Sequence, residues 1–220
     1  MSRRKPLVKA LPSRSLGRLA LLASTAVATV SLVACGSLFA PSPPAPHFYT
    51  LDAAAPGALA PRVAASAPVM IVAVPRAEAG FDTDRIVYVL EEHRLQPYAD
   101  NQWIDTPSKM LAPLISEAMS RTGSFGAVLT APSTVPGQWE LQSDIVRLQL
   151  EVAAARFRFT LRVVLIETQT RTVVLTREFD ASAPVSGASP AAAVAAANVV
   201  VADVLQQAAA ICASEVARRR

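Results

Sequence analysis

The chain has 220 residues, 52% of them hydrophobic, with 21 Lys and Arg against 17 Asp and Glu; that suffices for one domain with a buried core plus appendages. Residues 1–34 hold six bases (Arg3, Arg4, Lys5, Lys9, Arg14, Arg18) and no acid, so from Cys35 onward 15 bases face 17 acids, a net −2, and the basic pI lends no support to nucleic-acid binding by the folded part. Two cysteines and two histidines exclude a Cys/His zinc cluster or an iron–sulfur site, and composition excludes collagen-like, coiled-coil and polytopic membrane classes.

The six bases precede an apolar run from Leu19 to Ala34. At ~1.5 Å per residue it reaches ~24 Å, short of a ~30 Å hydrocarbon core, so residues 1–34 read as an export signal. Leu32-Val33-Ala34-Cys35-Gly36 resembles the bacterial lipoprotein signal box. Small side chains before the junction fit a signal peptidase, and the Cys35 thiol accepts diacylglycerol. Cleavage then frees an amine for a further acyl chain such as palmitate. Three chains, at ~0.8 kcal/mol per buried CH₂, hold a protein firmly where one chain is marginal. The competing reading is an uncleaved signal anchor with an incidental cysteine. Ser2-Arg3-Arg4-Lys5-Pro6-Leu7 resembles a twin-arginine signal, which leaves the export route open. Gly36 stands where lipoproteins kept at the inner membrane carry Asp, so the expected site is the cell outer membrane, facing the periplasm.

Residues 35–46 read as a lipidated tether, because Pro41, Pro43, Pro44 and Pro46 favour a semi-extended polyproline conformation. His47 to Asp52 reads as a short edge strand, followed by a flexible Ala- and Pro-rich insert over 53–68. The domain itself is expected over 47–218. Val69–Val74 is an apolar strand ending at Pro75. Arg85–Leu90 is another, with His93–Gln96 pairing back on it. Thr106 caps a helix that opens at Pro107 and repeats Met110, Leu111, Leu114, Ile115, Ala118 and Met119 at helical spacing. Gly123 stops it, and Pro113 bends it or delays its start. Val146, Leu148, Leu150 and Val152 alternate with polar residues, whereas Trp139 and Leu141 have the opposite parity, predicting a bulge near Ser143 and Asp144. Phe157 to Leu165 alternate with Arg156, Arg158, Thr160 and Arg162. Val173, Leu175 and Phe179 follow a turn at Thr168–Arg171. Pro190 to about Arg218 is an Ala-rich helix with Val194, Ala197, Val201, Leu205, Ala208 and Cys212 on one stripe. The expected fold is α+β: an antiparallel sheet with both helices on one face.

These pieces, in this order, resemble the ABC-type transport auxiliary lipoproteins, the PqiC-like family. The resemblance spans nearly the whole chain: the box at Cys35, Phe48-Tyr49-Thr50-Leu51-Asp52, Val72-Ala73-Val74-Pro75, Phe81-Asp82-Thr83-Asp84-Arg85-Ile86-Val87-Tyr88, Trp103 before the first helix, and the closing Ala-rich helix. The segment before Ile86 departs from the family's usual Leu-Asp-Arg-Pro-Gln, and the 53–68 insert is longer than usual. The resemblance implies a non-catalytic part in an ABC/MCE-type intermembrane phospholipid transport system, anchoring or docking the periplasmic MCE protein. Its partners are then the MCE-domain protein, the ABC transporter and outer-membrane lipid, with no nucleic acid. Two other classes stay open: a lipid or hydrophobic-solute carrier with its own cavity, and a structural envelope lipoprotein.

Arg156, Arg158 and Arg162 share one strand face, with Arg147 on a neighbouring strand, and are candidates for contact with anionic headgroups or an acidic partner. The alternative is a solvated sheet face. Trp103, Tyr98 and Tyr49 are candidate partner contacts, against a core-filling alternative. Asp82 with Asp84 and Glu91 with Glu92 lie in polar loops without flanking glycines or histidine. His47 lies by the tether, and no Gly-x-Ser-x-Gly elbow accompanies His93, so no catalytic residue is expected. No metal or organic cofactor is expected either, only the covalent diacylglycerol and N-acyl chain at Cys35. Cys212 reads as a buried small hydrophobe. Exposed edge strands leave a homo-oligomer open.

Overall fold

In the computed structural model the described residues are 45–52 and 66–219. The signal segment 1–34, Cys35 with Leu32, Val33, Ala34 and Gly36, the tether up to residue 44, and insert residues 53–65 lie outside them. The chain divides into units at Pro44 and Ala45. Within the second unit the elements are β1 (His47–Tyr49), β2 (Val69–Val72), β3 (Arg76–Ala77), β4 (Arg85–Val89), β5 (Leu95–Trp103), α1 (Pro107–Arg121), β6 (Ala127–Thr130), β7 (Trp139–Glu151), β8 (Arg156–Glu167), β9 (Thr172–Pro184) and α2 (Pro190–Arg218).

The sheet is mixed, which corrects the expectation of an antiparallel one. β7, β8 and β9 form an antiparallel meander, as the alternation and the turn at 168–171 imply. The other edge of β7 is shared by β2, β3 and β4, all parallel to it, with Met70 opposite Trp139, Arg76 opposite Asp144 and Tyr88 opposite Leu150. β6 adds outside β2 in parallel, β5 outside β4 antiparallel, and β1 outside β5 in parallel. A period of two is blind to strand direction. The run from β2 to β7 passes through α1, and a connection of that length permits parallel pairing. β1 does lie at the edge. β2 stops at Val72, two residues before the expected end, and Val74 is exposed. β5 extends well beyond the expected 93–96 segment, to Trp103.

The bulge in β7 falls at Val146, between the paired Ile145 and Arg147, two residues beyond its expected place. Trp139, Leu141, Ser143 and Ile145 point inward before it, and Leu148 and Leu150 after it. One inserted residue thus lets both parities serve the same core. The helices cover this inward face: α1 packs on β2, β3 and β6, α2 packs on β8 and β9, and the two touch each other.

α1 begins at Pro107 without delay, and Pro113 stays inside it. Lys109 and Pro113 are both exposed, so the carbonyl that loses its amide donor faces water. Thr106 holds the cap position without a side-chain cap bond; its N–H donates instead to Asp105 Oδ1 at 2.7 Å. Gly123, at φ 66°, follows the last turn, where a left-handed residue ends a helix without strain. Ser189 Oγ caps α2 by accepting from Ala192 N at 3.2 Å. The stripe from Val194 to Cys212 is buried throughout. By length and composition α2 passes for a membrane span, yet half of its most apolar window is buried against the rest of the fold, which is the position of a core helix.

Candidate functional site

Three features of the described part bear on function: the point where the tether enters, the open face of the sheet, and a cleft at one end of that face. At the entry, the β1 peptide groups pair with β5 and the chain is then fastened to α2. Asp52 N donates to Asn198 Oδ1 at 2.8 Å, and Asn198 Nδ2 donates to Thr50 O at 3.3 Å. Leu51 between them is buried. Tyr49 is half-buried opposite Trp103, its hydroxyl donating to Asn101 Oδ1 at 3.2 Å. Trp103 is only 2% exposed, so it fills the core and presents no knob to a partner. Tyr98 is half-buried beside Tyr88, ring centroids 4.9 Å apart; burial, then the neighbouring Tyr88, raises its pKa.

Arg156, Arg158 and Arg162 do share the open face, and Arg147 lies on β7 opposite Thr160. Each of the three β8 arginines is engaged by carboxylates on adjoining segments. Arg156 Nε donates to Glu151 Oε2 at 2.6 Å. Arg158 Nη2 donates to Asp180 Oδ2 at 2.6 Å and Nη1 to Glu151 Oε1 at 3.4 Å. Arg162 Nη2 donates to Glu178 Oε2 at 3.1 Å, with Glu78 at 3.9 Å. Buried Thr160 adds a 2.6 Å bond to Asp180 Oδ1. The Arg158 hydrogen bond chiefly holds the Asp180 carboxyl down at about 2. At Glu151 burial works upward, but the bonds and charges of Arg156 and Arg158 outweigh it and lower the pKa. The Arg158–Asp180 pair is bidentate, Nε also donating to Asp180 Oδ1 at 2.8 Å, and a pair of that geometry holds neighbouring strands in register. The Arg147 side chain forms no hydrogen bond and no ion pair within 4 Å among the described residues.

The cleft has a volume of about 590 Å³ and lies between the β4–β5 hairpin, the β3–β4 loop and the end of β7; Phe81, Val89, Leu90, Leu95, Arg147 and Glu151 are among its walls. Gly80, at φ 95°, turns the loop, and a Cβ there would meet Leu95 Cδ1 at 3.0 Å, so glycine lets hairpin and loop close on each other. Sequence reasoning found Arg147 but not this cleft. Phe81, Leu90 and Leu95 come from segments that only the tertiary fold brings opposite β7.

The residues weighed for catalysis are scattered. Asp82 and Asp84 lie in the exposed β3–β4 loop and His47 is exposed on β1. Glu91, Glu92 and His93 form the β4–β5 turn, where His93 Nε2 stands 3.4 Å from Glu92 and its backbone has φ 64°. No group of three potential metal ligands occurs among the described residues. Cys212 is buried in α2, and burial pushes its thiol up to about 12.

An architecture of mixed sheet with two helices on one face recurs in solved structures. One, from Xanthomonas campestris and described as a DUF330 protein, superposes with a TM-score of 0.68 at 21% identity, covering 80% of this chain and 98% of that one. Another, an uncharacterized protein, gives 0.60 at 13% identity, covering 79% and 99%. At these identities the likeness is one of fold. No curated protein matches the chain. Residues 49–209 match the family of the ABC-type transport auxiliary lipoprotein component, and the chain belongs to that family. It is thus an auxiliary lipoprotein component, of a class that associates with a transporter and resides in the envelope anchored to a membrane.

Proposed function

We propose that the chain is a non-catalytic outer-membrane subunit of an ABC-driven, MCE-type system moving phospholipids or related hydrophobic molecules between membranes. Acylated Cys35 holds it in the outer membrane facing the periplasm, residues 35–46 set its distance from the lipid, and the body over 47–218 docks the periplasm-spanning MCE protein. The single observation carrying this reading is the family match over residues 49–209 placed directly behind Leu32-Val33-Ala34-Cys35-Gly36. The clasp of Asn198 on Thr50 and Asp52 supports it, because force transmitted along a tether ends on the core helix rather than on a loose strand. Energy comes from ATP hydrolysis on another subunit, since this sequence has no phosphate-binding glycine-rich loop.

The test is affinity capture of the tagged full chain from detergent-solubilised envelopes. Recovery of an MCE-domain protein is expected, and Cys35→Ser should leave the outer-membrane fraction and lose its mass increment from acylation. Capture without any MCE-domain protein, or unchanged membrane fractionation of Cys35→Ser, refutes the proposal.

A further inference from the structure

We propose that the cleft beside β7 binds one alkyl chain carrying an anionic head, with Arg147 as the anchor for the head. This goes beyond an adaptor role, which requires no ligand of the chain's own.

The charge inventory singles out Arg147. Six ionisable side chains line the cleft: Glu92, His93, Arg94, Arg147, Glu151 and Arg158. Three of the others are paired with opposite charges, Arg94 to Glu91 at 3.2 Å, Glu151 to Arg156 and Arg158, and Arg158 to Asp180, while Glu92 and His93 stand 3.4 Å apart on the exposed turn. Asp180, whose charge Arg147 feels, already accepts from Arg158 at both oxygens and from Thr160. Arg147 is therefore a partly buried residue on the cleft wall whose side chain has no carboxylate within 4 Å among the described residues. A planar fork of donors in a concave, partly desolvated site selects an anion with two oxygens, a carboxylate or a phosphate.

The walls select what is attached to that anion. Phe81 is buried, and Leu90 and Leu95 at the rim are 52% and 40% exposed, large apolar groups left wet around a concavity. An inorganic anion would leave them so, whereas an alkyl chain would cover them. A volume of about 590 Å³ falls within the ~300–1,000 Å³ of small-molecule sites, which suits one chain and its head. Such a ligand comes either as a free single-chain amphiphile or as the head and one chain of a bilayer phospholipid.

The two sources separate in a photo-crosslinking experiment on the full chain reconstituted in neutral phosphatidylcholine vesicles. The probes are a diazirine-bearing palmitic acid, its neutral methyl ester, and a diazirine-bearing phosphatidylglycerol. Labelling of peptides spanning Phe81–Leu95 by the acid and not by the ester is expected. Labelling there by phosphatidylglycerol as well assigns the source to the bilayer; by the acid alone, to a free amphiphile. Arg147→Gln should lower the yield by about tenfold or more, the scale of one charge-assisted hydrogen bond. Leu95→Asp, at an exposed rim position, should lower it similarly, so the result does not depend on one variant folding. Equal labelling by acid and ester, labelling confined to other segments, or indifference to both variants overturns the proposal. MCE capture by Arg147→Gln should be unchanged, so failure here is distinguishable from failure of the docking role.

Discussion

Trp103 offers the sharpest test of the fold, because its sequence context allowed either a docking knob or a core residue. In the structure it is 2% exposed at the end of β5, its backbone N–H donating to Asp84 O at 2.7 Å and its position paired with Tyr49. Trp103→Ala removes a fully buried indole, a change that costs roughly 3–5 kcal/mol from lost transfer energy and the cavity left behind. Against a total stability of about 5–15 kcal/mol that is a large fraction. At ~2–4 °C per kcal/mol for a chain of this size, the melting midpoint should fall by about 6–20 °C. Because β1 hangs on β5, limited proteolysis should cut near Tyr49 sooner in the variant. The assay is thermal and denaturant unfolding of the full chain followed by circular dichroism, with Trp103→Phe as a milder control. A midpoint within ~2 °C of the parent, together with loss of partner capture, would refute the core assignment and make Trp103 a contact surface.

Two further outcomes follow from the ionisable groups. The Asp180 carboxyl, held down at about 2 from an ordinary 3.8, contributes stability that is present above its unfolded value and is lost as pH falls through its folded one. Unfolding measured from pH 5 to 2 should therefore steepen toward acid in the parent and flatten there in Asp180→Asn; with the side chain 41% exposed, solvent screening limits the difference to about 1 kcal/mol, and identical profiles would refute the linkage. The Cys212 thiol, buried and pushed up to about 12, should resist iodoacetamide at pH 8 in the folded chain and react once it is denatured; peptide mapping showing rapid native-state modification would contradict its burial.

How much of this protein its sequence determined is best seen element by element. The β7–β8–β9 meander and the closing helix are written in local patterns: side chains alternating with period two, and an apolar stripe from Val194 to Cys212. Such patterns report which face is buried, and they located the four arginines on the open face. They carry no information about strand direction, so the parallel β2, β3 and β4 along β7 emerged only from the assembled sheet. Nor do they carry the pairing of charges, since Arg158 finds Asp180 across a register set by hairpin turns and a bulge at Leu165/Ile166. The cleft lies furthest from local signals. Phe81 and Leu95 lie on either side of β4, and Arg147 comes from the later half of the long β7 strand; their meeting depends on Gly80 and on the inserted Val146 that re-aims β7. The sequence by itself therefore settled the α+β composition and the buried stripes, because each depends on neighbours within a turn or a strand. Tertiary structure alone decided strand direction, ion pairing and the cleft, because those depend on contacts between distant segments.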